Sequence, residues 1–166
     1  GKAILSNALT GANPRILGEP ALSIQSAAFN SDGSQLAVMP RDSDQITLWD
    51  TKTWQPIIDL ERAPGVLFEI RFMGELLGGF GEGNMAYLWE TSDGALCRHY
   101  SLGTPESIIE ELVWSADKKL MAVSSRETGG EVRVYDSVRG ELLQTLRGPW
   151  PNITALAFDP AATRLA

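Results

Sequence analysis

Hydrophobic and polar positions alternate along this chain in short runs, and the runs recur about every 43 residues. Three of them, QITLWD, MAYLWE and EVRVYD, end in an aromatic residue followed by an acid: Trp49-Asp50, Trp89-Glu90 and Tyr135-Asp136, spaced by 40 and 46 residues. A second set of aromatics closes another run in each copy. These are Phe29, Phe72, Trp114 and Phe158, at spacings of 43, 42 and 44. Two markers keeping step define an internal repeat. Period-2 alternation, rich in β-branched and aromatic residues, predicts strands, and the Asp-Gly or Asx-rich junctions predict tight turns.

Aligned on these markers, each copy predicts four strands, a to d. The first copy reads SIQSAAF, QLAVM, QITLW and PIIDL; the second VLFEIRF, ELLGGF, MAYLW and ALCRHYSL; the third IIEELVW, KLMAV, EVRVY and ELLQTL. The repeats occupy approximately residues 22–60, 65–102 and 107–146, within one domain over 1–166. Residues 152–166 match the opening of another copy, and GKAILSNAL matches GELLQTL, so residues 1–9 are expected as strand d of a preceding unit. A period of about 40–45 residues with four short strands per copy predicts an all-β fold, a β-propeller of four-stranded antiparallel blades. Three complete copies with partial units at both ends predict part of a longer protein, because an unclosed stack exposes sheet edges and apolar faces.

The segments AAFNSDGSQLAV with ITLWDTKTWQPIIDL, ELVWSADKKLMAVSS with EVRVYDSVRGELLQTLRG, and ALAFDPAATRLA resemble WD-repeat blades over residues 22–166. The resemblance implies a propeller that binds partners through loops at one end. It also implies a Gly-His pair before strand a and an Asp in the b–c loop, which join a polar network inside each blade. Here the first positions read Gly18-Glu19, Arg62-Ala63, Gly103-Thr104 and Gly148-Pro149, and the second read Ser43, Gly83 and Gly129, with Asp44 and Asn84 one residue late. The blades are therefore expected to rely on apolar packing in place of that network.

A net charge of −7 with 14 scattered Lys and Arg opposes generic attraction to nucleic acid or to an anionic membrane. The longest apolar runs fall far short of the roughly 20 residues a spanning helix needs. Cys97 is the only cysteine, so no intrachain disulfide and no cysteine-based metal site is expected. A soluble, cytoplasmic setting is favoured, although composition leaves the compartment open.

Candidate chemistry is sparse. His99, the only histidine, alternates with apolar positions in CRHYSL and reads as a solvent-facing strand residue. Glu110 and Glu111 are adjacent on a strand and point to opposite faces. The glycines of GGFGEG, Gly78 to Gly83, superficially resemble a phosphate cradle, but a strand follows where a helix is needed, so a b–c loop is expected. Trp49, Trp89 and Tyr135, with Trp114, read as packing residues. Trp54 and Trp150 have no counterparts in the other copies; each is either a contact anchor or a ring folded over its own blade.

The expected function is a non-enzymatic protein-interaction scaffold or ligand-recognition module with no cofactor or metal. Its partner is another protein or another domain of the same longer chain. The b–c and d–a loops supply the candidate binding face: Arg41, Asp42, Asp44, Arg62, Glu82, Asn84, Arg126, Glu127 and Trp150. Both charge signs are present, as in the polar rim of an interface. The alternative is a propeller enzyme or small-molecule sensor whose site lies in further blades.

Overall fold

The computed structural model describes residues 3–5, 15–17, 23–43, 45–103, 109–125, 130–148 and 153–166. The first sheet contains β3 (Ile24–Phe29), β4 (Gln35–Pro40), β5 (Thr47–Asp50) and β6 (Pro56–Asp59). The second contains β7 (Leu67–Met73), β8 (Leu76–Gly81), β9 (Met85–Glu90) and β10 (Leu96–Ser101). The third contains β11 (Ile109–Trp114), β12 (Leu120–Ser125), β13 (Glu131–Asp136) and β14 (Leu142–Arg147). Each is a four-stranded antiparallel sheet with its strands in sequence order. Ahead of them β1 (Ala3–Leu5) pairs antiparallel with β2 (Arg15–Leu17), a partner for residues 1–9 that the hydrophobic pattern did not indicate. Among the described residues there is no α-helix, only a 3₁₀ turn at Glu82–Asn84.

The same turn chemistry recurs because the same side-chain types fall at the same offsets. After the strand-a aromatic, Asn30, Ser115 and Asp159 each accept the N–H five residues on, from Gln35 (2.9 Å), Leu120 (3.0 Å) and Arg164 (2.8 Å). The acid of the aromatic–acid pair also caps a turn. One oxygen of Asp50 accepts the N–H groups of Lys52 (2.9 Å) and Thr53 (2.6 Å), and one oxygen of Asp136 accepts those of Val138 (2.9 Å) and Arg139 (2.7 Å). A short acidic side chain thereby satisfies donors that the reversing backbone leaves open.

These caps carry a pH dependence. The carboxyls of Asp32, Asp50, Asp117 and Asp159 lie below their ordinary value of 3.8, held there chiefly by the Ser34 hydroxyl, the Thr53 N–H, the Ser115 hydroxyl and the Arg164 N–H respectively. A carboxyl with a lower pKa in the folded state binds fewer protons there than in the unfolded chain. Its contribution is complete above about pH 5 and is lost as pH falls through the ordinary value and below it. Thermal melts are expected to show a flat melting temperature from pH 7 to pH 5 and a decline towards pH 3. Asp50→Asn together with Asp159→Asn should make that decline shallower.

The chain divides into two compact units, Gly1–Gly79 with Trp89–Cys97, and Phe80–Leu88 with Arg98–Ala166. In the first, β3 lies against β7: the Ile70 N–H donates to Ser26 Oγ (3.1 Å) and Gln25 Nε2 to the Phe68 carbonyl (3.4 Å). Trp89 is fully buried, and its indole N–H donates to the Glu61 carbonyl at 2.7 Å. In the second unit, Met121, Val123 and Tyr135 on one face of the third sheet pack with Ala86 and Leu102. The opposite face, with Ala122, Val132 and Val134, is covered by Ile153, Leu156, Phe158 and Leu165. The Tyr135 hydroxyl donates to the Leu102 carbonyl at 2.9 Å. Trp89 and Tyr135, equivalent in sequence, thus each reach a backbone carbonyl in the segment after the fourth strand of the preceding sheet.

Two expectations change in these surroundings. The central strands β4, β9 and β12 bury runs of four consecutive residues, so both of their faces are packed and simple alternation fails there. The b–c loop expected over Gly78 to Gly83 is mostly strand: β8 extends to Gly81, and the Glu82–Asn84 turn makes the connection. The physical reason is room for a ring, since a Cβ on Gly79 would sit 2.8 Å from Trp89 Cζ3 and 3.3 Å from a Leu67 methyl.

Candidate functional site

The connection between β4 and β5 and the connection from β6 to β7 meet at one end of the first sheet. The Leu60 N–H donates to the Ile46 carbonyl (2.9 Å), and the Arg41 N–H donates to the Ser23 carbonyl (2.7 Å), closing that end. Gln45 is the bracket between the two connections. Its Nε2 donates to the Leu60 carbonyl at 2.6 Å, while its Oε1 accepts Arg62 Nε at 3.3 Å. The Arg62 guanidinium is thereby steered although the residue remains exposed. Arg41 and Asp42 are exposed in the β4–β5 connection. Neighbouring Glu61 is turned to another task, its Oε2 accepting the Leu96 N–H at 3.0 Å.

Two apolar side chains emerge beside this polar frame. Val66 is 50% exposed and Phe68, at the start of β7, is 48% exposed. The Phe68 carbonyl is held by Gln25, which ties its backbone to the first strand of the neighbouring sheet. The strand pattern concealed both residues, because VLFEIRF alternates as a half-buried strand does and carries no mark of which face is covered.

Of the other residues expected on a binding face, Glu82 is exposed on the 3₁₀ turn. Asn84 is only 6% exposed, with a left-handed φ of 58° and a carbonyl that accepts the Leu102 N–H at 2.8 Å. It is a structural residue, which corrects its expected place on the surface: an amide side chain tolerates the left-handed turn that closes β8 onto β9. Asp44, Arg126, Glu127 and Trp150 lie outside the described residues. Trp54 takes the packing role, with its ring against the Leu36 and Val38 cluster. His99 is exposed and tilted over Tyr87, with ring centroids 6.3 Å apart. Cys97 is an exposed free thiol.

In the second unit one carboxylate is shared by two guanidiniums. Glu131 accepts Arg133 Nε at 2.9 Å and Arg147 Nε at 3.2 Å, and these bonds, led by the one from Arg133, hold its carboxyl below the ordinary range. Arg147 and Leu146 border a groove of about 370 Å³ whose other wall includes Ile153, Leu156 and Leu165. Among the described residues no group of three or more His, Cys, Asp or Glu side chains could hold a metal ion, and no helix is long and apolar enough to cross a membrane. Compared with protein-family models and with curated proteins, the chain matches none.

Proposed function

We propose that the chain is a run of WD-type β-propeller blades acting as a non-enzymatic protein-interaction scaffold. The observation that carries the proposal is the recurrence of one structural unit. Three four-stranded sheets have the same strand order, the first and third share their turn caps, and the strand-c aromatics of the second and third each reach back to the preceding sheet's last connection. Each sheet then serves as the base on which the next is laid, which is how repeat proteins derive stability from neighbour contacts. The β1–β2 pair supports a related reading: β2 precedes β3 at nearly the spacing by which β6 precedes β7, so β2 would be strand d of the preceding blade and β1, within the residues 1–9 expected as that strand, would be its strand c.

Within such a unit the buried side chains are engaged in packing, and the loop end presents the exposed groups. Exposed arginine and aromatic side chains are enriched among residues that dominate protein interfaces. The partner would be a protein or another domain, and no cofactor is required. The test is affinity capture of a partner, reconstitution with that partner purified, and hydrogen-exchange mapping of the complex. Protection concentrated at residues 41–43 and 61–68 is the expected result. Protection confined to the fourth strands β6, β10 and β14 would contradict it.

A further inference from the structure

We infer that the groove on the third sheet is a socket for a further β-strand, one that pairs beside Leu165 and sets a Tyr or Trp ring against Val132 and Leu156. The inference rests on the repeat beneath the scaffold reading and names the chemistry of one partner element. Two apolar clusters carry it. Ile109, Leu112, Trp114 and Met121 pack together with Tyr135, and 44 residues on the same four places are taken by Ile153, Leu156, Phe158 and Leu165. Each group of four packs with the residue three places before a strand-c aromatic, Ala86 in the first cluster and Val132 in the second. The Tyr135 ring completes the first cluster. In the second, no ring among the described residues takes that place; a groove of about 370 Å³ lies there, bordered by Val132, Leu156 and Leu165, with room for a phenol or an indole.

The backbone around the groove is set for the same occupant. Phe158 pairs with Leu165 as Phe29 pairs with Leu36 and Trp114 with Met121. On its other side Leu36 faces Trp49, and Met121 faces Tyr135, so a strand added beside Leu165 brings its own residue of this kind opposite it. Ala157 and Ala166 exchange both N–H donors, at 3.0 and 2.9 Å, and the Asp159 N–H donates to the Arg164 carbonyl at 3.0 Å. Hydrogen bonds alternate in direction along an antiparallel strand, which turns the N–H and carbonyl of Leu165 towards the opposite edge, the template for strand addition. An acceptor for the ring is also in place. The Leu102 carbonyl accepts the Tyr135 hydroxyl, and the Leu102 N–H donates to the Asn84 carbonyl, five residues before Trp89. The Gly148 N–H donates to the Gly130 carbonyl, five residues before Tyr135, so the Gly148 carbonyl stands where that of Leu102 does. Gly130 and Gly148 both line the groove. A ring with a polar tip fits such a site better than an aliphatic side chain, which would leave the acceptor unmatched.

The probe is a fluorescein-labelled peptide copying residues 130–147, strands c and d of the third copy, titrated with the full 166-residue chain and followed by fluorescence anisotropy and by hydrogen exchange. Saturable binding that slows exchange at Leu165 is expected. In the peptide, Tyr135→Ala should weaken binding at least about tenfold and Tyr135→Phe about fivefold through the lost donor, whereas Tyr135→Trp, which keeps ring and donor, should bind as the parent peptide does. These comparisons leave the protein itself unaltered. In the chain, Ala155→Arg, at an exposed position on the groove wall, should block binding while the melting temperature stays within a few degrees of the parent. If that variant melts early, the peptide series alone decides.

No saturable binding, binding indifferent to the ring or to a folded Ala155→Arg variant, or altered exchange at β13 and β14 in place of Leu165 would each overturn the inference. Any of these removes the socket and leaves the scaffold reading in place. That reading fails on a different result, exchange protection confined to the fourth strands in the complex with the captured partner.

Discussion

Trp89→Ala is expected to destabilise the protein by about 4 kcal/mol, the loss for a fully buried aromatic side chain whose cavity cannot collapse. Trp89 is 0% exposed, and the strand beside it has been hollowed to admit it, with Gly79 under the ring. Alanine would leave a void bordered by glycine, and the Glu61 carbonyl would lose its indole donor. Trp89→Phe separates the two contributions, because it keeps a ring in the slot while removing the N–H. Its expected cost is between about 1 and 2 kcal/mol, most of it the hydrogen bond and the smaller ring. Tyr135→Phe, which deletes the equivalent hydrogen bond to the Leu102 carbonyl, should cost about 1 kcal/mol. Urea denaturation of the three variants measures all of these. A Trp89→Ala variant within about 1 kcal/mol of the parent would mean that the ring does not organise this part of the core.

The second large effect is at Gly140. This residue turns the chain from β13 into β14 with φ of +71°, and the Tyr100 ring lies directly over it, so that a Cβ built there would fall inside the ring. The Tyr100 hydroxyl donates to the Ser137 carbonyl in the same turn, which fixes the ring in place, and burial pushes that hydroxyl's pKa up to about 12. Gly140→Ala therefore combines left-handed strain of roughly 1–2 kcal/mol with overpacking of a similar size, about 3 kcal/mol in all. Tyr100→Ala removes the obstruction, so the double variant should be more stable than the sum of the two single losses implies, by about 1 kcal/mol or more. Strict additivity would show that ring and glycine do not meet. At Gly33, whose φ is +73° with open space around it, alanine should cost only the backbone strain.

Sequence and structure agree wherever a local rule fixes the outcome. Strand positions follow from alternation and from the turn residues between them, and the observed strands of the three sheets fall within the repeats read from the chain, save that β14 runs one residue past the third, to Arg147. The role of Asp50 and Asp136 was less legible, since an acid after an aromatic does not reveal that its oxygen will cap the next turn. Gly78 and Gly79 read in sequence either as the end of strand b or as the start of the b–c loop, because glycine marks both loops and close approaches, and only the position of Trp89 decides between them.

Tertiary environment accounts for the exposed aromatics too. Phe29 and Trp114 close equivalent strands, yet Trp114 packs beside Met121 and Tyr135 while Phe29 is 49% exposed. Phe29 shares the side of β3 that carries exposed Ala27, opposite the side on which Ser26 meets β7. The same lack of tertiary information placed Asn84 on the surface and hid Phe68. A binding face is therefore legible in sequence only as a set of loops. Which members project depends on packing and on brackets such as Gln45, whose contacts span 15 and 17 residues.

The most direct measurement is an experimentally determined structure of the protein at a resolution that traces the strands. The expected result is that β3, β7 and β11 stand side by side around a common axis, each first in its sheet, with the Arg41, Arg62 and Glu82 connections all at one end. Sheets arranged without a shared axis, or with those connections at opposite ends, would contradict the propeller and the binding face together.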